Sequence, residues 1–309
     1  MGAHTHEHTH AQGNHGHHHG HTQDGIDWTT QIATLRRDDA MGAAAQADIA
    51  RRLIGLLDAA QPTVVDIGAG AGGQSAAFAR ELATRGGGRV VIVDAVPGLL
   101  EVAKETTLAA LAGNTSVTIE TVHADAGSDE LVSAVPEADL VWASRSVHHL
   151  PDQQAGTDRL ARLLRTGGRL ALAEGGLPTR CLPWDLGIGQ PGLQDRLLAR
   201  RDEAFVRMRA DIADTVPMPY GWNTALSKAG LTEVTSFSVL TDHPAPAIPE
   251  VRESVSSWLS FLRERGSDFL DAPDRATLDA LLDESADTYV QKRDDIYMLG
   301  VTTVFLGRR

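Results

Sequence analysis

The chain has 309 residues, of which 42% are hydrophobic and 22% are charged, so it is long enough to bury one large core. Its formal net charge of -13 disfavours nucleic acids and anionic membrane surfaces as partners. The single cysteine, Cys181, cannot form an internal disulfide, and no apolar run reaches the roughly 18 residues that span a bilayer. We therefore expect a soluble, cytoplasmic protein with no nucleic-acid or membrane partner.

Residues 1–23 contain nine of the 13 histidines and almost nothing apolar, which predicts a disordered tail. Clustered imidazoles on a flexible chain suit nickel, copper or zinc, and we expect no catalytic part for such a metal. An expression tag and a functionally neutral tail are the alternatives. The candidate ligands are His4, His6, His8, His10, His15, His17, His18, His19 and His21.

Residues 24–60 are predicted to form helices that flank a sheet. Ile49, Leu53, Leu56 and Leu57 recur at helical spacing, and Pro62 ends the pattern.

A repeated alternation of short apolar runs and helical stretches follows over residues 61–177. Five runs are too apolar for a sheet with one solvated face, which indicates a parallel α/β sheet. Predicted helices such as 74–84 and 153–164 separate them. The runs are TVVDIG, RVVIVDA, VTIETVHAD, ADLVWAS and GRLALAEGG, and two later candidate strands are LTEVTSFSVL and YMLGVTTVFLGRR.

Two stretches interrupt this alternation. Residues 178–225 are interpreted as a helical insertion, and residues 226–309 as the last two strands with a second helical insertion at 248–294. We expect both insertions to cover the carboxyl edge of the sheet, where open α/β sheets bind ligands. The first insertion carries four arginines that we interpret as a solvated helix face: Arg200, Arg201, Arg207 and Arg209.

The segment VVDIGAGAGG, residues 64–73, predicts a strand that enters a glycine turn before a helix. Gly68, Gly70 and Gly72 permit a tight turn and the close approach of a ligand. The motif is ambiguous, because Gly68, Gly70 and Gly73 also match the Gly-x-Gly-x-x-Gly fingerprint of dinucleotide-binding proteins.

Acidic residues at three strand ends help to decide whether the ligand of this glycine turn is a dinucleotide. Asp66 lies two residues before the first glycine, where a carboxylate suits an ammonium group better than a pyrophosphate. Asp94 ends the next strand, at the position from which a carboxylate accepts hydrogen bonds from ribose hydroxyls. Asp125 and Ala126 follow the third strand, where they could contact an adenine edge and ring.

Together these motifs resemble the class I S-adenosylmethionine-dependent methyltransferases over roughly residues 60–175. The resemblance implies a Rossmann-like α/β fold whose seven-stranded sheet is mostly parallel, with an antiparallel last strand, helices on both faces and the insertions as a cap. It implies that the methionine part binds Asp66, Gly68, Ala69, Gly70 and Gly72, the ribose Asp94 and its neighbour Ala95, and the adenine Asp125 and Ala126.

The segment ADLVWASRSVHHLPD is similar to the small-molecule branch of that family, in which this turn lies beside the donor methyl group. The similarity places Ser144 and Arg145 at the cofactor and makes His148 and His149 candidate general bases. A turn histidine that only packs or forms a hydrogen bond is the alternative for each.

The function implied by these resemblances is in-line methyl transfer from S-adenosylmethionine to a small organic acceptor. One cysteine argues against an arsenic methyltransferase, and the sequence ASRS at the fourth strand lacks the motif of amide-methylating enzymes. The alternatives are a catalytically silent S-adenosylmethionine-binding or metal-responsive module and an NAD-dependent oxidoreductase.

Overall fold

A computed structural model describes residues 27–266 and 268–309. The histidines proposed as metal ligands in the first 23 residues lie outside this described part. Among the helices of the described residues, none is both long and apolar enough to cross a membrane.

One mixed sheet organises the described chain. Its strands follow the order β3-β2-β1-β4-β5-β8; the first five are parallel and β8 is antiparallel to β5. Strands β5 and β6 pair with successive parts of one edge of β8. Strand β7 pairs with the opposite edge of β8. The strands are β1 (Thr63–Ile67), β2 (Gly88–Asp94), β3 (Val117–His123), β4 (Ala138–Ser144), β5 (Leu164–Ala173), β6 (Gly176–Arg180), β7 (Thr232–His243) and β8 (Met298–Arg308).

The helices complete the α/β arrangement. Two short 3₁₀ turns, Trp28–Gln31 and Val147–His149, lie near the carboxyl ends of the strands, and a third spans Val290–Lys292. The α-helices are α1 (Ile32–Ile54), α2 (Gly73–Thr84), α3 (Pro97–Leu111), α4 (Leu131–Ala134), α5 (Gln153–Arg162), α6 (Leu193–Asp211), α7 (Trp222–Lys228), α8 (Pro249–Arg265) and α9 (Ala272–Leu282).

Consecutive side chains of the central strands enter two different cores, as the pleat of a strand requires. Val64 packs with residues of α1, α2 and α3 on one face, whereas its neighbour Val65 packs with α4, α5 and α7 on the other. The predicted fold class, a mostly parallel Rossmann-like sheet with helices on both faces and an antiparallel last strand, is confirmed.

A third apolar cluster joins the two insertions into one cap. Buried leucines and valines of α6, α8 and α9 pack together with Met298 at the start of β8. Cys181 lies in this cluster, where burial raises the pKa of its thiol to about 12 and makes it an unreactive core residue.

The structure adds two features that the sequence did not indicate. Strand β6 is an eighth, short strand beyond the seven predicted ones, because the chain after Ala173 continues along β8 before it enters the cap. Arg209 does not belong to a solvated helix face: its guanidinium donates hydrogen bonds to the carbonyl oxygens of His148, Leu150 and Pro151. The cap is thereby fixed to the turn after β4.

Candidate functional site

The glycine loop between β1 and α2 is the centre of the candidate site. Gly72 has a φ of +87°, and a Cβ there would lie 2.6 Å from the Cα of Ala103. Gly68 has a φ of +67°, and its Cβ would lie 2.9 Å from Cβ of Ser146. The loop therefore packs directly against α3 and against the turn after β4, and no other residue type fits these two positions without strain.

Asp66 lies beneath this loop as a buried carboxylate. It is 2% exposed and accepts a 2.5 Å hydrogen bond from the hydroxyl of Ser75. Burial raises the pKa of Asp66 to about 7, and the negative charges of Asp39 and Asp94 act in the same direction. A carboxyl group held in this state is ready to ionise when a cation binds close by.

Two further carboxylates hold the backbone of the loop. Asp94, which is 7% exposed, accepts hydrogen bonds from the backbone N–H groups of Gly70 (3.1 Å) and Val96 (2.9 Å). Asp39 of α1 accepts one from the N–H of Gly73 at 3.0 Å. Burial raises the pKa of both carboxyls. The long helix α1 therefore contributes directly to the site, which its sequence did not indicate.

The summed charge around the loop is negative. Asp38, beside Asp39 on α1, also has a pKa raised by burial, and the nearby Arg145 opposes that shift. Arg145 follows β4 directly and has a positive φ of 50°, a conformation that ordinary residues rarely adopt. Buried and partly exposed carboxyls together with one exposed arginine suit a ligand that carries more positive than negative charge, and they oppose a pyrophosphate.

The residues expected at the adenine lie beside the ends of β2 and β3. Asp125 accepts a 2.7 Å hydrogen bond from the N–H of Gly127, and the carbonyl oxygen of Ala126 accepts one from Arg159. Nε2 of His123 lies 3.0 Å from the carbonyl oxygen of Ala95. The structure thus holds the loops after β2 and β3 in place next to the glycine loop.

The turn after β4 carries the two histidines that were predicted as candidate bases. Nδ1 of His148 lies 2.5 Å from Oε2 of Glu174, and the ring of His148 is 4.2 Å from that of His149. Trp28 contacts His149 edge-on at 6.1 Å between ring centroids, and Phe205 of α6 contacts His148 at 5.7 Å. Ser144, Arg145 and the histidines are therefore in one surface region beside the glycine loop.

Glu174, like Asp39, is a site residue that the sequence interpretation missed. It directly follows β5, as Asp94 ends β2 and Asp125 follows β3, so its position at a strand end was a signal available in the sequence. Two polar side chains of the first insertion, Tyr220 and Asp185, have hydrogen-bond partners of their own. Tyr220 donates a hydrogen bond to Gln154 of α5, and the exposed Asp185 accepts one from the N–H of Gly187.

Comparison with known proteins gives a family match over the same part of the chain. Residues 65–170 match the family model described as a methyltransferase domain. This range contains the glycine loop, Asp94, Asp125 and both histidines of the turn after β4, and it ends just before Glu174.

Individual relatives share shorter segments. The chain is 35% identical over 115 residues to a demethylmenaquinone methyltransferase of Clavibacter sepedonicus, covering 37% of this chain and 42% of the relative. It is 45% identical over 49 residues to a 27-O-demethylrifamycin SV methyltransferase of Amycolatopsis mediterranei, covering 15% of this chain and 18% of the relative. The chain therefore spans less than half the length of these curated relatives.

Among solved structures, a methyltransferase from Thiobacillus denitrificans with bound S-adenosylhomocysteine is 17% identical, with a TM-score of 0.41. The superposition covers 84% of this chain and 90% of that protein.

Proposed function

We propose that this chain, whose residues 65–170 match a methyltransferase domain, is a class I S-adenosylmethionine-dependent methyltransferase that methylates a small organic acceptor. The observation that carries the proposal is the group of carboxyls around a strained glycine loop, in which Asp66 and Asp94 are buried and Asp39 is half-buried. S-adenosylmethionine carries a sulfonium and an ammonium group against one carboxylate. The charges of the site and of this ligand are complementary.

The roles of the cofactor residues follow from where each group lies. The glycine loop with Asp66 would hold the methionine ammonium end, and Arg145 would pair with the methionine carboxylate. Asp94 keeps lone pairs for ribose hydroxyls while its oxygens hold the loop, and Asp125 with Ala126 would contact the adenine.

The bound cofactor would supply an electrophilic methyl group, and the protein's contribution is alignment of the acceptor and exclusion of water. The cap supports this part of the proposal. Arg209 of α6 fixes the cap to the turn after β4, so the cap lies beside the end of the site at which the acceptor must enter. The rings of Trp28 and Phe205 there favour an acceptor with apolar surface.

Calorimetric titration of the full chain with S-adenosylmethionine, S-adenosylhomocysteine and NAD tests this assignment. Binding of the first two without NAD is the expected result, since the pyrophosphate of NAD would meet the carboxylates of the loop. Gly72→Val is a matched variant, because its side chain would collide with the backbone of α3 and should abolish binding. Binding of NAD alone, or of none of the three ligands, would refute the proposal.

A further inference from the structure

A buried carboxylate and a histidine form a fixed pair beside the proposed cofactor site. The side chain of Glu174 has no exposed surface. Its Oε1 accepts hydrogen bonds from the backbone N–H groups of Ser146 (2.9 Å) and Val147 (2.7 Å), while Oε2 lies 2.5 Å from Nδ1 of His148. Two backbone contacts therefore hold the carboxylate against the imidazole.

This arrangement selects one form of the neutral imidazole. An ionised carboxylate only accepts hydrogen bonds, so Nδ1 of His148 must carry the proton. Nε2, on the opposite edge of the ring, then keeps a free lone pair and can accept a proton. The side chain of His148 is 25% exposed, so a small molecule can reach the ring.

The pair also lies at the end of the proposed cofactor site where the acceptor is expected. Ser146, two residues before His148, touches the glycine loop, and its hydroxyl lies 3.5 Å from the carbonyl oxygen of Ile67. The imidazole of His148 contacts the rings of His149 and Phe205, and Trp28 contacts His149 in turn. These aromatic rings favour an apolar, ring-containing molecule over a highly charged one.

We propose, on the basis of the proposed methyltransferase function, that Glu174 positions His148 as a general base and that the acceptor is a hydroxyl group on an apolar, ring-containing small molecule. A bond forms between the acceptor oxygen and the methyl carbon, and the carbon–sulfur bond breaks with its electron pair remaining on sulfur. The hydroxyl proton passes to Nε2 of His148 and is later released to water.

The need for such a base distinguishes acceptor classes. A phenolic hydroxyl keeps its proton near neutral pH and gains nucleophilicity when a base accepts it during transfer. A carboxylate is already ionised, a thiol ionises close to neutral pH, and a neutral amine has a free lone pair, so none of these requires a positioned imidazole.

The variant Glu174→Gln provides a specific test of the positioning role. The amide oxygen can still accept from Ser146 and Val147, which directs the amide NH₂ group toward Nδ1 of His148. Nδ1 must then accept a hydrogen bond, and the proton of the neutral ring moves to Nε2, where it blocks the base. Imidazole ¹⁵N NMR of the protein without added ligand should show a protonated Nδ1 in the wild type and a protonated Nε2 in the variant.

Activity is measured with three matched probes, 1-naphthol, 1-naphthylamine and 1-naphthalenethiol, by formation of S-adenosylhomocysteine. We expect methylation of the naphthol, with kcat reduced about 100-fold or more in Glu174→Gln and His148→Gln, whereas any turnover of the amine or the thiol should be unaffected by these two variants. The affinity for S-adenosylmethionine should stay unchanged, and Glu174→Asp should restore part of the rate. Glu120→Gln, on the exposed edge strand β3, and His243→Gln, at the end of β7, are the controls and should retain full activity.

The inference is overturned by a wild-type His148 protonated at Nε2 in its neutral form, or by naphthol turnover that survives Glu174→Gln. Turnover of the amine or thiol but not the naphthol, or of none of the three, would contradict the assigned acceptor class. A protein that fails to bind S-adenosylmethionine would instead refute the proposed function itself, so the two failures are distinguishable.

Discussion

The loop region at the carboxyl ends of the strands and the core of the cap use buried acidic groups in opposite ways. In the cap, Asp274 is 5% exposed and forms a two-point ion pair with Arg196, at 2.7 and 2.8 Å. In the loop region, Asp66 is equally buried but has only the hydroxyl of Ser75 and backbone groups as partners, with further carboxyls nearby. Asp274 is neutralised by an arginine, whereas no basic side chain of the described residues pairs with Asp66.

This difference indicates which region is adapted to a ligand. A buried acid without a cation lowers the stability of the native state, and such groups persist at positions where function requires them. The cap, by contrast, is an apolar cluster whose buried acid Asp274 is paired with Arg196. Variants in the two regions should therefore separate stability from cofactor binding.

The largest expected effect is on the pH dependence of stability and concerns Asp66. Its folded pKa of about 7 lies above its ordinary value of 3.8, so the native state keeps a proton that the unfolded chain releases between these values. The stability of the ligand-free protein should fall as pH rises through this window, by about 4 kcal/mol in total from this group. Urea unfolding at several pH values should show that Asp66→Asn loses this slope. A difference between variant and wild type that does not change with pH would contradict the assignment.

A slightly smaller effect is expected from Leu259→Ala in the cap. Leu259 is fully buried in α8, and truncation of such a leucine typically costs about 3 kcal/mol. Thermal and urea denaturation should report this loss, while calorimetry should give an unchanged affinity for S-adenosylmethionine. A large loss of affinity in this variant would mean that the cap core belongs to the cofactor site.

The smallest effect in free energy is expected for Asp94→Ala, which should weaken S-adenosylmethionine binding about 100-fold, close to 3 kcal/mol, through loss of the ribose contacts. Asp274→Ala is the matched control, because it removes an equally buried acid from the cap and should lower stability without a change in affinity. Equal affinities of the wild type and Asp94→Ala would remove the ribose assignment.

The sequence predicted the sheet and most of the loop region because strands and their ends leave local signals. Apolar runs marked β1–β5, and acidic residues at strand ends marked Asp66, Asp94 and Asp125. Glu174 had the same signal after β5, yet its importance depends on the backbone of Ser146 and Val147, which only the fold brings to it.

The sequence did not predict the contacts between distant segments. Asp39 reaches the glycine loop from a helix whose pattern shows only its apolar face, and Arg209 reaches the turn after β4 from the cap. Strand β6 pairs with β8 across more than a hundred residues and has no alternating pattern of its own. Each of these features depends on contacts between residues far apart in the sequence, which local periodicity does not indicate.

Hydrogen–deuterium exchange of the full chain with and without S-adenosylmethionine tests most directly whether the carboxyl ends of β1 to β4 form the cofactor site. We expect protection of backbone amides at residues 66–75, 94–98, 123–127 and 144–149, with little change in α9 or in the paired parts of β7 and β8. Protection confined to the cap, or no protection at saturating ligand, would contradict this assignment.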